Sequence, residues 1–344
     1  LFLIVVAFCL QTFFAVSQNE KGFYHIRNYT AKDYKAHPQN WSVIQDNRGV
    51  MYFGNNIGVL EFDGVTWNLI KTENETNVRS MSLHQSGKIF LGSQNDFGYL
   101  FPDSSGTMAY HSLSGLLTEE QRYFGDIWNT FIINDEIVFQ AKQHLIFWNG
   151  KTLSVKKIAN QIQSSFKVNS TIYLVIENEG FFKVVNKELV FIRNLNIFNS
   201  KKAITDIINY NGKWLALLPE FGIYQLKPND SLEFYLEIKD PLLQKSANKI
   251  TAIKGNKFLV GTYGNGMYVI DEKGNVLQRI SEKSGMQDLT VYDQYIDNHD
   301  NLWLAMDKGI SRVDINTPLT SFNYQLGLNG RIEAITRHRN KLYF

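Results

Sequence analysis

The sequence has almost no cysteine. Cys9 is the one cysteine among 344 residues, and it lies in an apolar stretch at the start of the chain. This composition predicts neither a disulfide framework nor a cysteine-ligated metal site. The seven histidines show no metal-ligand spacing, so the sequence predicts no metal and no other cofactor.

Proline, charge bias and helical periodicity are also scarce. Six prolines stand against 24 glycines, so we expect turns made of Gly, Asn and Asp. The 35 basic and 33 acidic residues leave a net charge of +2, without a long basic run. Nucleic acid is therefore not an expected partner, because its binding needs concentrated positive charge. Gly115–Arg122 is the one stretch interpreted as a helical turn.

The stretch from Asn40 to Ile70 contains four short apolar runs, each ended by turn residues. The runs are Val43–Ile44, Met51–Phe53, Val59–Phe62 and Trp67–Ile70. Short runs rich in β-branched and aromatic residues, separated by Gly, Asn and Asp, are typical of strands joined by hairpins. One four-stranded unit of this size is too small to bury a core alone.

The unit recurs along the whole chain. We align the copies on the small or polar residue that opens the third strand, at Gly58, Gly98, His144, Gly180, Gly222, Gly266 and Gly309. The first strands are built around Ile44, Met81, Ile132, Phe166, Ile207, Ile253 and Ile296. Seven copies, 36 to 46 residues apart, predict an all-β fold, a seven-bladed β-propeller of four-stranded antiparallel blades. A strand at Phe23–Tyr29 could pair with the last blade and close the ring, and closure by the last strand is the alternative that the sequence leaves open.

The two ends carry further expectations. Residues 1–17 have the length and apolar character of a signal-peptide core, with its beginning missing. Residues 22–330 are assigned to the propeller sensor domain. Residues 331–344 resemble the start of a further blade, cut short, since Ile335 and Tyr343 match Ile44 and Tyr52. We therefore expect the sequence to be the N-terminal part of a longer protein.

The repeat resembles the two-component regulator propeller repeat. Its consensus is aliphatic-x-x-Asp-x-x-Gly, followed by an aromatic strand and a second glycine. This pattern is clearest around Asp46–Gly58 and Asp297–Gly309. The resemblance covers essentially all of Gly22–Phe344, although the third and fourth copies lack the Asp-x-x-Gly turn. The stretch from Asn40 to Phe124 is especially similar to propellers that precede a triple-tyrosine domain.

This resemblance implies a non-catalytic input module of a bacterial signal-transduction regulator. It implies a periplasmic location, with a tether to the inner membrane through a downstream span. The implied partners are a small-molecule ligand, with an oligosaccharide as the candidate, and a downstream propeller or triple-tyrosine domain of the same polypeptide. A homodimer formed through segments beyond the sequence is a further expectation, and the output module stays open.

Candidate ligand contacts follow from propeller geometry. Loops between blades and loops between second and third strands open on one face, where polar and aromatic residues are expected to converge. The residues assigned to this ligand-binding face are Trp41, Arg79, Asn95, Asp96, Trp128, Gln143, Glu220, Tyr263, Asn265 and Asp307. Aromatic faces combined with amide and carboxylate groups suit a carbohydrate or another small polar ligand. No catalytic residue is assigned, and many of these Asn and Asp residues could equally serve as turn formers.

Two alternatives stay open. A secreted propeller enzyme acting on glycans would need two carboxylates, or a carboxylate and a base, within catalytic reach of one another on this ligand-binding face. A protein-interaction scaffold would instead show a broad exposed apolar patch. The repeated hairpin carboxylates of Asp46 and Asp297 do not favour the enzyme, because equivalent positions on a ring lie far apart.

Overall fold

The computed structural model describes residues 22–193, 204–322, 324–326, 328, 331–339 and 341–343. The proposed signal peptide at residues 1–17 lies outside the described residues. Two compact units are present, Ile26–Asn316 and a second one drawn from the described residues among 22–25 and 317–343. No described helix is long and apolar enough to cross a membrane.

The first unit begins with strand β1 (Ile26–Tyr29) and helix α1 (Ala31–Tyr34), and three antiparallel four-stranded sheets follow. Blade 1 consists of β2 (Asn40–Gln45), β3 (Met51–Asn55), β4 (Gly58–Phe62) and β5 (Trp67–Ile70). Blade 2 consists of β6 (Ser80–Leu83), β7 (Ile89–Gly92), β8 (Phe97–Pro102) and β9 (Met108–Ser112). Blade 3 consists of β10 (Ile127–Ile133), β11 (Glu136–Ala141), β12 (His144–Trp148) and β13 (Leu153–Lys157).

Four more sheets complete the ring. Blade 4 consists of β14 (Ile162–Val168), β15 (Thr171–Ile176), β16 (Gly180–Val185) and β17 (Glu188–Arg193). Blade 5 consists of β18 (Asp206–Tyr210), β19 (Lys213–Leu218), β20 (Gly222–Leu226) and β21 (Leu232–Leu236). Helix α2 (Pro241–Ser246) leads into blade 6, which consists of β22 (Ala247–Ile253), β23 (Lys257–Thr262), β24 (Met267–Asp271) and β25 (Val276–Ile280). Blade 7 consists of β26 (Val291–Ile296), β27 (Leu302–Met306), β28 (Ile310–Val313) and β1.

The predicted fold class is confirmed: seven four-stranded antiparallel sheets form a seven-bladed β-propeller. The structure decides how the ring closes, which the sequence left open: β1 supplies the fourth strand of blade 7 and pairs antiparallel with β28. Tyr29 ends β1, and its ring lies 5.8 Å from Trp303 of blade 7 and 5.4 Å from Phe62 of blade 1. The first and last parts of this unit are thus joined by backbone pairing and by aromatic packing.

Helical structure is confined to short connections. The predicted turn at Gly115–Arg122 contains two 3₁₀ segments, Ser114–Leu116 and Glu119–Gln121, and a third lies at Glu282–Ser284. Helix α2 was not predicted, although the sequence contains an N-cap residue for it. The Asp240 side chain accepts a hydrogen bond from the Leu243 backbone N–H (2.8 Å). Six residues are too few to show a helical period.

Turn chemistry explains why the repeat is weaker in blade 3. The Asp46 and Asp297 side chains each accept hydrogen bonds from two backbone amides of their own hairpin turn. In blade 3 the turn is instead Asn134–Asp135, with φ of 46° and 67°. Positive φ at both positions is the requirement of a two-residue type I′ hairpin. A different turn therefore joins the same pair of strands, and the blade is preserved.

The core lies between neighbouring sheets, which pack closely at glycines near the ends of the second strands. A Cβ atom on Gly92 of β7 would lie 2.1 Å from the Ile127 side chain of blade 3, and one on Gly54 of β3 would lie 2.3 Å from the Val78 carbonyl oxygen. Large buried rings such as Phe53, Phe97 and Phe139 fill the space between blades.

The second unit holds an isolated antiparallel bridge between Phe23 and Ser321, a 3₁₀ segment at Tyr324–Leu326 and a hairpin of β29 (Thr336–His338) and β30 (Lys341–Tyr343). The hairpin coincides with the stretch that the sequence matches to the first two strands of a further blade. Its assignment to a further repeat stays a prediction.

Candidate functional site

A recurrent β-bulge builds the mouth of the central cavity. In blades 1, 3, 4, 6 and 7 the pairing of first and second strands skips one residue near the start of the first strand. The skipped residues are Trp41, Trp128, Gln163, Asn248 and Tyr292. Bulges redirect side chains and occur often beside functional sites. Here they direct one extra residue per blade into the cavity.

Two rings of side chains follow from this register. The first ring contains the five bulge residues and their counterparts in blades 2 and 5: Trp41, Arg79, Trp128, Gln163, Thr205, Asn248 and Tyr292. The second ring contains the residue that follows each of them: Ser42, Ser80, Asn129, Ser164, Asp206, Lys249 and Asp293. All fourteen line one cavity of about 570 Å³, a volume typical of small-molecule sites.

Arg79 is held between two tryptophans of the first ring. Its guanidinium carbon lies 3.9 Å from the ring centre of Trp41 and 4.3 Å from that of Trp128. Arg79 Nε lies 2.9 Å from Asp126 Oδ2 in an ion pair, without the alignment of a hydrogen bond. A cation stacked on two aromatic faces and paired with a carboxylate is strongly fixed. It packs against both indole rings.

Blades 7 and 1 form a closed polar network beside this stack. Gln39 Nε2 donates to Asp307 Oδ1 (2.7 Å) and Tyr292 Oη (3.1 Å), and Tyr292 Oη donates to Asp307 Oδ1 (3.0 Å). Asn56 accepts from Trp41 Nε1 (2.6 Å) and donates to Gln39 Oε1 (2.9 Å). Burial and the hydrogen bond to Asp307 raise the pKa of Tyr292 to about 12. These side chains satisfy one another.

The second ring carries three charges on consecutive blades: Asp206, Lys249 and Asp293. Lys249 Nζ lies 3.7 Å from Asp293 Oδ1, with 31% of the lysine side chain and 24% of the aspartate side chain exposed. Asp206 accepts a hydrogen bond from the Ile250 amide of blade 6 (2.9 Å), and Asp293 accepts one from the Val43 amide of blade 1 (3.0 Å). Each carboxylate therefore ties its blade to the next one.

Burial dominates the titration of this group. It raises the pKa of Asp206 and of Asp293, while the Lys249 ammonium and backbone amide donors oppose that rise. Burial alone would lower the pKa of Lys249, but the two carboxylates reverse the effect and raise it. The charged state is maintained by mutual pairing, as expected for ions removed from bulk water.

Four of the ten predicted ligand contacts come together in the cavity lining: Trp41, Arg79, Trp128 and Tyr263. Trp128 is 37% exposed and Tyr263 is 54% exposed. Asp307 is outside the lining and acts on it by holding Tyr292. Both tryptophans and Tyr263 therefore lie around one cavity, and their role as ligand contacts stays a prediction.

Asn95 and Asp96 have structural partners away from the cavity. Asn95 takes a left-handed conformation, with φ of 51°, and its Oδ1 accepts from the Gly125 amide (2.7 Å). Asp96 is fully buried and accepts from the Tyr110 hydroxyl (2.8 Å), the Ser112 hydroxyl (2.7 Å) and the Phe97 amide (2.9 Å). Its carboxylate holds blade 2 together.

Gln143, Glu220 and Asn265 are also outside the cavity lining. Gln143 Nε2 donates to the Ala159 carbonyl oxygen (2.8 Å). Glu220 is exposed, with φ of 71° in the turn between β19 and β20. The Asn265 backbone N–H donates to Thr262 Oγ1 (3.0 Å) within the loop between β23 and β24. These three residues lie in turns, and their role as ligand contacts stays a prediction.

Sequence reasoning did not identify the second ring. Asp206, Lys249 and Asp293 lie at or near the starts of their first strands, where a polar residue is easily assigned to the preceding loop. A usable signal was present in two blades: Asp206 and Lys249 each precede an isoleucine of the first strand, as Ser42 precedes Val43 in blade 1. Among the described residues, no group of three or more His, Cys, Asp or Glu side chains could hold a metal ion.

Comparisons with known proteins support the fold. No protein-family model and no curated protein matches the sequence. The extracellular domain of BT4673, a proposed hybrid two-component system from B. thetaiotaomicron, is 16% identical with a TM-score of 0.64, over 86% of this chain and 40% of that chain. The corresponding domain of BT3049 is 12% identical with a TM-score of 0.65, over 84% of this chain and 42% of that one.

Enzymes share the same architecture. A catalytically inactive variant of virginiamycin B lyase from Staphylococcus aureus, solved with quinupristin, is 10% identical with a TM-score of 0.65, over 84% of this chain and 99% of that chain. This chain spans about two fifths of the solved length of the two B. thetaiotaomicron domains. At such identities the similarities show the fold. The neighbours include extracellular domains of proposed two-component systems, the kind of protein that the repeats resemble.

Proposed function

We propose that this propeller is the extracytoplasmic ligand-sensing domain of a bacterial signal-transduction regulator, and that it binds a small polar ligand, with an oligosaccharide as the leading candidate. One observation carries the proposal: a single cavity of about 570 Å³ is lined by the partly exposed ring of Trp128, by Tyr263 and by amide side chains. Aromatic faces combined with amide groups suit sugar rings. The B. thetaiotaomicron neighbours support the sensor context.

A binding experiment tests this proposal. The full chain is titrated by calorimetry with neutral and acidic oligosaccharides, and binding is mapped with Trp128→Ala. Removal of a stacking platform should weaken binding about 2- to 12-fold, given the roughly 0.5–1.5 kcal/mol typical of an aromatic contact. Tyr123→Ala is the matched control, because Tyr123 is 85% exposed and outside the cavity lining. An equal effect of both substitutions would contradict a site in the cavity.

The wider context belongs to the same proposal. The propeller lies in the periplasm, residues 1–17 direct export, and a downstream span tethers the protein to the inner membrane. A downstream propeller or triple-tyrosine domain receives the ligand-dependent change, and a dimer forms through those segments. The resemblance of the repeats and the neighbours from two-component systems support this view. Fusion of the chain to alkaline phosphatase should give activity in bacteria only with residues 1–17 present.

One observation favours the enzyme alternative. Asp206 and Asp293 bracket Lys249 within the cavity, which brings two carboxylates and a base near one another. We interpret them as structural, because both carboxylates accept backbone amides of the next blade. Product analysis after incubation with the same oligosaccharides decides between the two: turnover that is lost in Asp293→Asn would establish the enzyme.

A further inference from the structure

Hydrogen-bonding capacity is distributed unevenly around the mouth. On the side of blades 7 and 1, the Gln39, Asn56 and Tyr292 side chains are bonded to one another and to Asp307. A ligand there would have to break bonds that are already made. Since the exchange of one hydrogen bond for another yields little free energy, this half of the mouth is poorly suited to polar recognition.

On the side of blades 3 and 4, polar groups are left open. Lys142, Gln161 and Gln163 line the cavity and are exposed, and their side chains have no hydrogen-bond partner among the described residues. Ser164 Oγ, also in the lining, is buried and without a partner. Beside them stands Trp128, with Arg79 over one face of its ring and 37% of the residue exposed.

Charge separates the two halves as well. The lining residues from blades 3 and 4 include the lysines Lys142 and Lys167 and no carboxylate. The carboxylates of the lining, Asp206 and Asp293, belong to blades 5 and 7 and face Lys249. Lys167 Nζ is bonded to the Ile132 carbonyl oxygen (2.6 Å). Lys142 is therefore the ammonium group on this side that is free to meet a ligand.

We propose that the sector formed by Trp128, Lys142, Gln161 and Gln163 is the sugar subsite and that it selects an acidic sugar, a ring that bears a carboxylate or a sulfate. The ring stacks on Trp128, the amides of Gln161 and Gln163 bind hydroxyl groups, and the Lys142 ammonium pairs with the anionic group. This inference rests on the proposed function and deepens it, because it names the ligand class and the half of the mouth that recognises it.

The test compares acidic and neutral ligands on the full chain. Calorimetry is performed with oligogalacturonate, alginate and chondroitin sulfate oligosaccharides, and with neutral galacto-, xylo- and cello-oligosaccharides. Lys142→Gln should weaken binding of the acidic ligand about 10-fold, as expected for a hydrogen bond to a charged group, and should leave neutral sugars within about twofold. Lys142→Arg should keep most of the affinity, because it keeps the charge. Lys151→Gln is the control, since this exposed lysine of blade 3 lies outside the cavity lining.

Each outcome is decisive. Tighter binding of a carboxylated or a sulfated oligosaccharide, weakened by Lys142→Gln and by added salt, supports the subsite, and the better of the two identifies the anionic group. Binding of neutral sugars alone, or equal effects of Lys142→Gln and Lys151→Gln, overturns the acidic subsite and leaves the sensor function standing. Absence of binding by every oligosaccharide overturns both.

Discussion

Removal of the Lys249 ammonium should expose how much the charges of the second ring stabilise the propeller. Lys249→Met keeps a long apolar stem and leaves Asp206 and Asp293 without their cation. At the observed 3.7 Å between Lys249 Nζ and Asp293 Oδ1, Coulomb attraction is about 4.5 kcal/mol for an effective dielectric constant of 20 and about 1 kcal/mol in water. Because both side chains are partly open to the cavity, we expect Lys249→Met to lower the free energy of unfolding by about 2–3 kcal/mol.

The decrease in the free energy of unfolding caused by Lys249→Met should depend on pH in a defined direction. Burial raises the folded-state pKa of Asp206 and Asp293, so their ionisation opposes folding, and the folded state gains stability as the pH falls through those raised values. Lys249 offsets that cost in the wild type, up to the alkaline range in which it deprotonates. The deficit of Lys249→Met should therefore be largest near pH 7.5 and smaller near pH 5.

Thermal unfolding monitored by circular dichroism measures both effects. For a unit of this size, about 2–3 kcal/mol corresponds to a decrease in Tm of roughly 3–5 °C. The matched control is Lys254→Met, because Lys254 also links blades 6 and 7, through an ion pair with Asp300 in which 78% of the lysine side chain is exposed. That change should lower Tm by less than about 1 °C. Equal effects of the two substitutions, or a Lys249→Met deficit that grows as the pH falls, would refute the reasoning.

Three further substitutions test the fold by the same unfolding assay. Gly92→Ala should lower the free energy of unfolding by about 1–3 kcal/mol, because the new methyl group overlaps the Ile127 side chain. Gly115→Ala is the control and should change it little, because the space around Gly115 is open. Equal effects of the two substitutions would contradict close blade packing. Asp96→Ala should cost about 2–4 kcal/mol, because it leaves three buried or partly buried donors unpaired, and unchanged stability would refute its structural role. Tyr29→Ala should cost about 3–5 kcal/mol and accelerate hydrogen exchange in β28, and unaltered exchange would contradict ring closure by β1.

The candidate site was predicted in part, and the residues that were missed show why. Sequence alignment of the first strands matched Ile44 with Ile253, whereas the observed pairing places Ile44 opposite Tyr52 and Thr251 in the corresponding place of blade 6. A shift of two residues moves Lys249 out of the column that contains Ser42. Because side chains alternate along a strand and a bulge adds one residue, apolar residues alone do not define this register.

The sequence by itself determined the number of blades and the antiparallel order of strands. These depend on local signals, since apolar runs and turn residues recur with each copy and each run forms its own hairpin. The tryptophans and Tyr263 at the mouth were found for the same reason, because they lie at the ends of recognisable strands.

Only the tertiary structure decided which polar residues face one another. Asp96 and Trp128 both lie beside strand ends, yet Asp96 is enclosed by its own blade, while Trp128 is directed into the cavity by a bulge. The contact of Lys249 with Asp293 joins positions 44 residues apart, on different blades, and no local pattern contains it. Ring closure brings such residues together because each blade can bury its apolar faces only against its neighbours, and that packing sets the direction of every side chain at the centre.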